Sequence, residues 1–354
     1  MIIEHNKPTL GREEINAVER AVKSGWIAQG KKAEDFENGI ATYVGLPYGH
    51  AAVVSSGTAA IYLALKALDV RDRHEVIVPD YTCSAVLNAV YMAGAIPVIA
   101  DIDAIDFNIS YDAVKSLLTP HTKAIIIPHV FGVPADVKRL KKLGIAIIED
   151  CATALGSKID GEHVGLFGDI AIFSFYASKV ITTGEGGMVV ARDPKYIRKV
   201  VDYRQFDLRK KYYPRFNFQI TDIQAAMGAV QIKRLPGFLK KRRTLAGIYH
   251  GICIAKGWNF QRQAIISSSP NWYRFVLRLA KGEVGRLQRY LKKAGVDTIV
   301  PIQGWELLHR YMNRGEKSFK VATSITHTTL SLPIYPLMAE GGRIEYVSKL
   351  LRKF

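Results

Sequence analysis

The sequence contains few cysteines and no long apolar segment. Among its 354 residues are three cysteines, Cys83, Cys151 and Cys253, an odd number with no CxxC spacing. Small secreted domains and zinc ribbons use paired cysteines at short spacing, so neither class is indicated. No apolar run approaches the roughly 20 residues needed to cross a bilayer, and the N-terminus lacks the basic and apolar regions of a signal peptide. We therefore expect a cytoplasmic protein with reduced thiols and no membrane span.

Acidic residues are scarce relative to basic ones. The chain has 49 Lys and Arg residues against 32 Asp and Glu residues, a formal net charge of +17, with basic clusters such as 208–216 and 240–243. Basic patches can bind nucleic-acid phosphates, but zinc-finger spacing, an RNP motif and a basic arm are all missing. Solvated helix faces, with some steering of an anionic small molecule, are the favoured explanation. No nucleic-acid partner is expected.

The sequence also lacks the residue spacings that are typical of metal sites. The histidines are scattered, and the sequence has no HExxH motif and no cysteine pair. His129, close to the end of a candidate strand, is expected to be a local hydrogen-bond partner rather than a ligand. The sequence therefore predicts no metal site.

Short β-rich runs alternate with helical patterns between about residues 50 and 190. Most of the runs are nearly continuous Val, Ile and Ala, which is typical of strands buried on both faces. The candidate strands are residues 51–56, 76–80, 96–103, 123–131, 145–150, 170–175 and 187–191. Helical patterns cover residues 12–25, 33–45, 57–68, 83–95, 110–119 and 134–144. This alternation predicts an α/β fold with a mostly parallel seven-stranded sheet between helices.

The pattern changes after about residue 235. A strand is predicted over 273–280, an amphipathic helix over 282–295 and a terminal helix over 346–354. We therefore expect a large α/β domain over residues 1–235, including the N-terminal helices, and a smaller C-terminal α+β domain over residues 236–354.

Two strand ends carry residues suited to ligand binding, because ligands of open α/β sheets bind beyond the carboxyl ends of the strands. Gly57 and Thr58 follow the first strand and open a helix, where backbone N–H groups favour an anion. Glu149 and Asp150 end the fifth strand, where a buried carboxylate needs a cationic partner or several donors. Taken alone, Gly57 and Thr58 favour an ordinary helix cap, and the two carboxylates are also compatible with a cap on the following loop.

A third strand end carries Ser174 and, five residues later, Lys179, followed by the glycine-rich run TTGEGG. Lys179 is either a solvated loop lysine or an amine that holds a ligand covalently, since a desolvated lysine amine is a nucleophile. An anion site, a carboxylate and such a lysine on neighbouring strands fit one cofactor, pyridoxal 5′-phosphate (PLP).

Over almost its whole length the chain resembles the DegT/StrS family of nucleotide-sugar aminotransferases, within the fold-type-I PLP enzymes. The lysine segment FSFYASKVITTGEGGMVV is the most specific part of the resemblance. The other matching segments are residues 24–45, 54–65, 76–103, 129–136, 147–156, 217–228 and 330–336. The resemblance implies the fold-type-I arrangement of a large PLP-binding domain and a small domain.

The resemblance also implies roles for two residues. Lys179 matches the lysine that binds PLP covalently and later moves a proton between substrate and cofactor. Asp150 matches the carboxylate that keeps the pyridine nitrogen protonated.

Four more positions match cofactor-binding residues of the family. Gly57, Thr58 and Ser174 match the groups that bind the phosphate. Asn217 matches a residue that reaches the phosphate of the neighbouring subunit's cofactor. A homodimer with a shared active site is therefore expected.

Three positions depart from the family pattern. The family often has an aromatic residue where this chain has Cys83, Gln or His where it has Thr153, and arginine where it has Gln219. We expect changed packing in the pocket, with Cys83 packing as a soft apolar atom against the cofactor ring. A dehydrating branch of the family has histidine in place of Lys179, so the lysine favours transamination.

The resemblance implies an aminotransferase that moves an amino group from glutamate to a nucleotide-linked keto-deoxy sugar. Two alternatives remain open. One is a fold-type-I PLP enzyme acting on a substrate without a nucleotide, and the other is a PLP-binding regulatory protein without turnover. The motifs do not decide which nucleotide or sugar is used.

Overall fold

The computed structural model describes residues 1–354 as alternating helices and strands. The helices are α1 (Arg12–Lys23), α2 (Lys31–Val44), α3 (Gly57–Ala67), α4 (Ser84–Met92), α5 (Tyr111–Ser116), α6 (Val137–Lys141), α7 (Pro194–Arg204), α8 (Asp222–Lys256), α9 (Glu283–Lys293), α10 (Leu308–Tyr311), α11 (Lys320–Thr328) and α12 (Arg343–Lys353). The strands are β1 (Ala51–Val54), β2 (Glu75–Pro79), β3 (Ile96–Ala100), β4 (Thr122–Pro128), β5 (Ala146–Asp150), β6 (Lys158–Ile159), β7 (Glu162–His163), β8 (Ile170–Ser174), β9 (Gly187–Val190), β10 (Asn259–Phe260), β11 (Ser268–Ser269), β12 (Phe275–Arg278) and β13 (Thr329–Leu332).

The central sheet has seven strands in the order β1-β9-β8-β5-β4-β2-β3. Its pairs are parallel except for the two that β9 makes with β1 and β8. These are the seven strands that the sequence predicts, so the prediction of a mostly parallel sheet between helices is confirmed. The parallel strands gather their carboxyl ends along one edge, and this edge carries the candidate site.

Apolar side chains cover both faces of this sheet. Successive residues of a strand point to opposite faces, and in β4 Ile125 and Ile127 join one apolar cluster while Ala124 and Ile126 join the other. All four are completely buried. This double burial explains why the strands lack polar alternation.

The C-terminal part of the chain builds a second, antiparallel sheet in the order β10-β12-β13. Strand β12 and helices α9 and α12 lie where the sequence predicts them, and they share a third apolar cluster. A third small sheet joins β11, β6 and β7. The sheet and its helices give this region the expected α+β character.

Helix α8 is the main element that the sequence patterns did not predict. It has 35 residues and continues through Pro236 and Gly237, a pair typical of a helix end. Its N-terminal half packs in the cluster on one face of the central sheet, and its C-terminal half packs in the third cluster. The boundary predicted at residues 235 and 236 falls inside this helix, and the division into two domains stays a prediction.

Although α8 is long, neither it nor any other helix is apolar enough over a sufficient length to cross a membrane.

Candidate active site

A cavity of about 340 Å³ opens at the carboxyl edge of the central sheet. This volume lies in the range of small-molecule sites, roughly 300–1,000 Å³. Asp150, at the end of β5, and Lys179, in the turn after β8, both line it. The sequence therefore placed these two residues correctly at neighbouring strand ends, and the fold brings them to one cavity.

The alternation of side chains along β5 separates its two terminal carboxylates. Asp150 faces the cavity, is 7% exposed and accepts a hydrogen bond from the N–H of Ala152 at 2.9 Å. Burial raises the pKa of Asp150 above its ordinary value, and this N–H and the positive charge of Lys179 offset only part of the effect. A cationic group bound beside the carboxylate would lower its pKa and keep it ionised.

Glu149 points away from the cavity into a saturated hydrogen-bond network. Its carboxylate accepts the N–H groups of Gly165, Phe167 and Gly168 at 2.6 to 2.8 Å and faces Nε2 of His129 at 3.0 Å. Burial alone would raise the pKa of Glu149, but the hydrogen bonds from His129 and the backbone hold it below its ordinary value.

His129 is the local hydrogen-bond partner that the sequence predicts. Its Nδ1 accepts the N–H of Ala135 at 3.0 Å, so Nε2 carries the hydrogen that it donates to Glu149. Cys151 lies close enough that one atom from each of the three side chains falls within 4.8 Å of the others. Burial and the adjacent carboxylates raise the pKa of Cys151 well above its ordinary value, however, so this thiol stays protonated and is a poor metal ligand.

The turn that carries Lys179 is held by hydrogen bonds to neighbouring backbone. The N–H of Lys179 donates to the carbonyl of Tyr176 at 2.9 Å, and the N–H of Thr183 donates to the carbonyl of Phe175 at 2.9 Å. From the N-terminal segment, the amide of Asn6 donates to the carbonyl of Ser178 at 2.7 Å. These bonds fix the backbone on both sides of the lysine.

The amine of Lys179 lies over an aromatic ring. Its Nζ is 5.6 Å from the ring centroid of Tyr273, a residue just before β12. Burial by itself raises the pKa of the Tyr273 hydroxyl, but the cations Lys179 and Arg274 and a hydrogen bond with Ser178 outweigh it, so the pKa lies below its ordinary value. The positive charge of Lys179 therefore favours ionisation of the Tyr273 hydroxyl.

The N-terminus of α3 forms a second polar cluster beside the cavity. Ser56 caps the helix by accepting the N–H of Ala59, whereas the N–H groups of Gly57 and Thr58 have no acceptor in the chain. A Cβ on Gly57 would lie 3.0 Å from Cβ of Ser174, so only glycine lets the helix approach the end of β8 this closely. Free N–H groups at a helix N-terminus, next to a hydroxyl, suit a phosphate.

Gly57, Thr58 and Ser174 do not line the cavity itself. Ser174 ends β8, and Tyr176, two residues later, is part of the cavity wall. The hydroxyl of Ser174 lies 3.5 Å from the backbone nitrogen of Tyr176, and Gly57 packs on Ser174, so the N-terminus of α3 adjoins the cavity wall at Tyr176.

Asn217 lies outside the cavity of its own chain. It is exposed in an irregular segment between α7 and α8, next to Phe218, whose carbonyl accepts the N–H of Ser55 at 2.9 Å. The same segment exposes Leu208 and Tyr212, which are 87% and 94% accessible.

Comparison with known proteins identifies the family. A sequence model of the DegT/DnrJ/EryC1/StrS aminotransferase family matches residues 8–352. The chain belongs to this family. It is 37% identical over 362 residues to the GDP-perosamine synthase of Escherichia coli O157:H7, a match that covers 98% of this chain and 97% of that protein.

Solved structures agree with this family membership. The aminotransferase TlmJ from Streptoalloteichus hindustanus has a TM-score of 0.91 at 28% identity, with 99% of this chain and 98% of that chain covered. DesV from S. venezuelae, solved in complex with a ketimine intermediate, has a TM-score of 0.88 at 30% identity, with 96% of this chain and 94% of that chain covered. The fold is therefore fold type I, the protein is an aminotransferase, and its cofactor is PLP.

The residues on the cavity edge fit PLP in chemical type. PLP needs a lysine amine, an acid partner for its ring nitrogen and donors for its phosphate. The cavity supplies one lysine and one buried carboxylate, and the free N–H groups of Gly57 and Thr58 supply donors beside it. The buried carboxylate Asp150 has one hydrogen-bond donor in the chain, which leaves room for a cationic partner.

The family departures are distributed unevenly around the site. Cys83, an exposed free thiol at the start of α4, and Thr153 both line the cavity. The hydroxyl of Thr153 donates to the carbonyl of His129 at 3.0 Å, so it is already engaged with the protein. Gln219 is half-buried in the irregular segment and does not line the cavity.

Sequence reasoning missed the part of the wall that comes from the C-terminal third of the chain. Tyr273 and Arg274 precede β12, and Glu306 and Tyr311 lie in or next to short helical turns. The sequence predicted a strand at 273–280 but gave no sign that its first residues face the cavity. An aromatic residue followed by arginine is a weak signal by itself.

Proposed function

We propose that the protein transfers an amino group from glutamate to a keto-deoxy sugar linked to a nucleotide. The observation that carries the proposal is the single cavity lined by a buried carboxylate, Asp150, and an amine, Lys179. The resemblance to the family implies this pair for amino transfer. Lys179 is the one lysine that lines the cavity, and Asp150 is the buried one of its two carboxylates.

We assign Lys179 as the residue that binds PLP covalently and moves the proton at the substrate carbon. When bound, PLP supplies an electron sink for the carbon that bears the amino group. The Lys179 amine must hold and release a proton at that carbon, and the ring of Tyr273 below it limits its contact with water. The hydrogen-bonded turn keeps the amine at the wall of the cavity.

Asp150 and the α3 N-terminus would orient the cofactor from its two ends. The carboxylate of Asp150 would bind the protonated ring nitrogen and stabilise its charge. The N–H groups of Gly57 and Thr58 and the hydroxyl of Ser174 would bind the phosphate. Together these contacts would hold the cofactor beside Lys179.

The identity of the substrates is supported by the relatives and by the charge of the protein. Two relatives, from E. coli O157:H7 and Vibrio cholerae, are GDP-perosamine synthases, and the second is 31% identical over 343 residues. The formal net charge of +17 favours the approach of a substrate that carries a diphosphate. A cytoplasmic location, where nucleotide-linked sugars and glutamate would meet the enzyme, completes the proposal.

We also propose a homodimer with shared active sites. Asn217 is exposed and lies outside its own cavity, and Leu208 and Tyr212 of the same irregular segment are exposed as well. Contiguous exposed apolar residues are typical of interfaces. Asn217 would reach the phosphate of the partner's cofactor.

The covalent role of Lys179 can be tested without measuring turnover. Borohydride reduction of PLP-loaded wild-type protein, followed by proteolysis and mass spectrometry, should give a pyridoxyl adduct on the peptide that contains Lys179. The Lys179→Ala variant should give no adduct, whereas Lys281→Ala, which removes an exposed lysine, should behave like the wild type. An unmodified Lys179 peptide in the loaded wild type would contradict the proposal.

The substrate is tested by separate half-reactions. Glutamate should convert the PLP absorbance of the wild type to that of the aminated cofactor, and a panel of nucleotide-linked keto sugars should reverse the change. Reversal only by a keto compound without a nucleotide would favour an enzyme with a different substrate. Bound PLP without any exchange would favour a regulatory protein.

A further inference from the structure

Arg274 stands beside Tyr273 in the wall of the cavity that holds Asp150 and Lys179. We propose that its guanidinium binds an anionic group of a substrate, a carboxylate or a phosphate, and that it is a specificity-determining residue of the reaction. The proposal deepens the proposed function and rests on it, because it names a contact to the substrates of the same site.

The guanidinium of Arg274 has no partner within the chain. Its Nε and Nη1 are buried and donate no hydrogen bond, and it forms no ion pair with a carboxylate. Its Cζ lies 5.4 Å from the ring centroids of both Phe131 and Tyr273. Two aromatic faces shield the cation from water, but they satisfy none of its N–H donors.

Two buried arginines of the chain, Arg204 and Arg242, have partners that the guanidinium of the half-buried Arg274 lacks. Arg204 pairs with the carboxylate of Glu37 at 2.6 Å. Arg242 donates from Nη1 to three backbone carbonyls at 2.8 to 3.1 Å. A buried charged donor without an acceptor is costly. Arg204 and Arg242 each have acceptors for at least one guanidinium nitrogen, although Nε of Arg242 is also unpaired. The guanidinium of Arg274 has no acceptor within the chain, so it is available to a ligand.

The charges of the cavity leave Arg274 as the cation available to a substrate. The cavity is lined by two cations, Lys179 and Arg274, and by two carboxylates, Asp150 and Glu306. Asp150 accepts the N–H of Ala152, and Glu306 accepts the N–H of Gln303 at 2.7 Å. With Lys179 committed to the cofactor, an incoming anion has one cation left to bind.

The planar shape of the Arg274 guanidinium favours a ligand with a planar or tetrahedral oxyanion. A guanidinium presents a rigid fork of N–H donors that matches two oxygens of a carboxylate or a phosphate. Glutamate carries carboxylates and a nucleotide-linked sugar carries phosphates, so either substrate of the proposed reaction offers this chemistry. Arg274 and Lys179 flank the same tyrosine ring, which puts the anion site next to the reacting amine.

The test uses the PLP-loaded enzyme and three variants. Arg274→Gln removes the charge and part of the fork, Arg274→Lys keeps the charge without the fork, and Arg73→Gln removes an exposed arginine remote from the cavity as a matched control. One arm measures the dependence of the donor half-reaction rate on the L-glutamate concentration. The other arm measures the dissociation constants of GDP, UDP, CDP and dTDP by calorimetry.

We expect Arg274→Gln to weaken the apparent affinity for either glutamate or the nucleoside diphosphates by about 10- to 100-fold, the usual size of a hydrogen-bonded charge contact. A selective loss in the glutamate arm identifies a carboxylate as the ligand, and a selective loss in the nucleotide arm identifies a phosphate. Arg274→Lys should restore only part of the loss, because an ammonium lacks the fork. Arg73→Gln should change neither arm.

Stability separates a ligand-binding role from a structural one. Because the guanidinium of Arg274 donates no hydrogen bond within the chain, Arg274→Gln should leave the melting temperature of the cofactor-loaded protein unchanged or raised. Changes below about twofold in both arms, or a loss that accompanies unfolding of the variant, would overturn the proposal.

The outcomes also separate this inference from the proposed function. A wild type that exchanges no amine but binds a nucleoside diphosphate through Arg274 would contradict the aminotransferase reaction and keep the anion site. A wild type that reacts with glutamate equally well after Arg274→Gln, with unchanged nucleotide binding, would keep the reaction and remove the anion site. If neither glutamate nor any of the four nucleotides interacts with the wild type, both fail.

Discussion

The imidazole Nδ1 of His309 lies 2.7 Å from Oδ2 of Asp80, and the backbone N–H of His309 donates to the other carboxylate oxygen at 2.7 Å. Both side chains are completely buried, and the histidine ring stacks on Phe319 at 4.7 Å. Asp80 directly follows β2, and His309 sits between Glu306 and Tyr311, which line the cavity. The pair therefore attaches this part of the cavity wall to the central sheet.

Removing one member of this pair should destabilise the protein strongly. Asp80→Ala leaves the His309 N–H groups buried without an acceptor, so we expect a loss of about 3–5 kcal/mol in the free energy of unfolding. Urea denaturation of Asp80→Ala, His309→Ala and the double variant would measure the coupling, expected at about 1–3 kcal/mol. Additive losses would show that the two side chains act independently.

Neutralising Asp150 should impair catalysis and spare the fold. Since burial already raises the pKa of this carboxyl, Asp150→Asn removes a charge that the apo-protein does not need, and its stability should be unchanged or higher. Without the carboxylate, the cofactor ring loses its acid partner, and we expect kcat to fall by about 100-fold or more. Stopped-flow half-reactions check the rate, and thermal melts of the apo-protein check the stability. A variant with wild-type kcat would exclude the role proposed for Asp150.

Glu149 should matter for stability instead of chemistry. In Glu149→Gln the amide NH₂ replaces one carboxylate oxygen, so at least one backbone donor faces another donor, and we expect a loss of about 3–5 kcal/mol. Because the folded pKa of Glu149 lies below its ordinary value, the wild-type contribution is present above about pH 4.5 and is lost as the pH falls further. Urea denaturation at a series of pH values should therefore give a flatter acid limb for the variant. Parallel curves for the two proteins would contradict this account.

The contribution of Asp106 to stability should change with pH in the opposite direction to that of Glu149. Burial raises the pKa of Asp106 from 3.8 to about 6. The folded protein therefore holds this proton more tightly than the unfolded chain, and the stabilisation is lost as the pH rises between about 4 and 6. Asp106→Asn keeps an oxygen to accept the N–H of Asn108 and cannot ionise. Relative to the wild type, the variant should gain up to about 3 kcal/mol between pH 4 and pH 7. A difference that is independent of pH would rule out this ionisation.

Shared active sites predict complementation between two impaired variants. Lys179→Ala removes the proposed cofactor lysine, and Asn217→Asp places a negative charge beside the partner's cofactor phosphate, so each homodimer should be nearly inactive. A heterodimer made by co-expression with two affinity tags has one site with both changes and one with neither. It should recover about half of the wild-type activity per dimer. No recovery in a purified heterodimer would show that each site is built from a single chain.

The sequence predicted the central sheet well because its strands are buried on both faces and their apolar runs are uninterrupted. It also predicted the meeting of Asp150 and Lys179, because parallel strands deliver their carboxyl ends to one edge. Helix α8 was missed because Pro236 and Gly237 are typical of a helix end, and exposed apolar residues such as Ile254 weaken the contrast between its faces.

The remaining wall of the site could not be predicted for a different reason. Arg274 lines the cavity and His309 attaches part of its wall to the central sheet, and both depend on contacts between segments that are more than 100 residues apart along the chain. No local pattern records such a contact. A buried Asp80 directly after a strand hints at a partner but does not name it, and only the packed fold brings the histidine to it.

Helix α8 is a continuous rod about 50 Å long. It packs both in the apolar cluster on one face of the central sheet and in the apolar cluster of the C-terminal region. A flexible linker would let the C-terminal sheet swing freely, but here any large rotation must bend a continuous helix, most easily at Pro236, where the backbone hydrogen bond is missing. Access to the active-site cavity should therefore depend on short surface segments, such as residues 304–312, and, in the proposed homodimer, on how the two chains meet. Engineering a wider entrance would then begin with those segments and leave the rod intact.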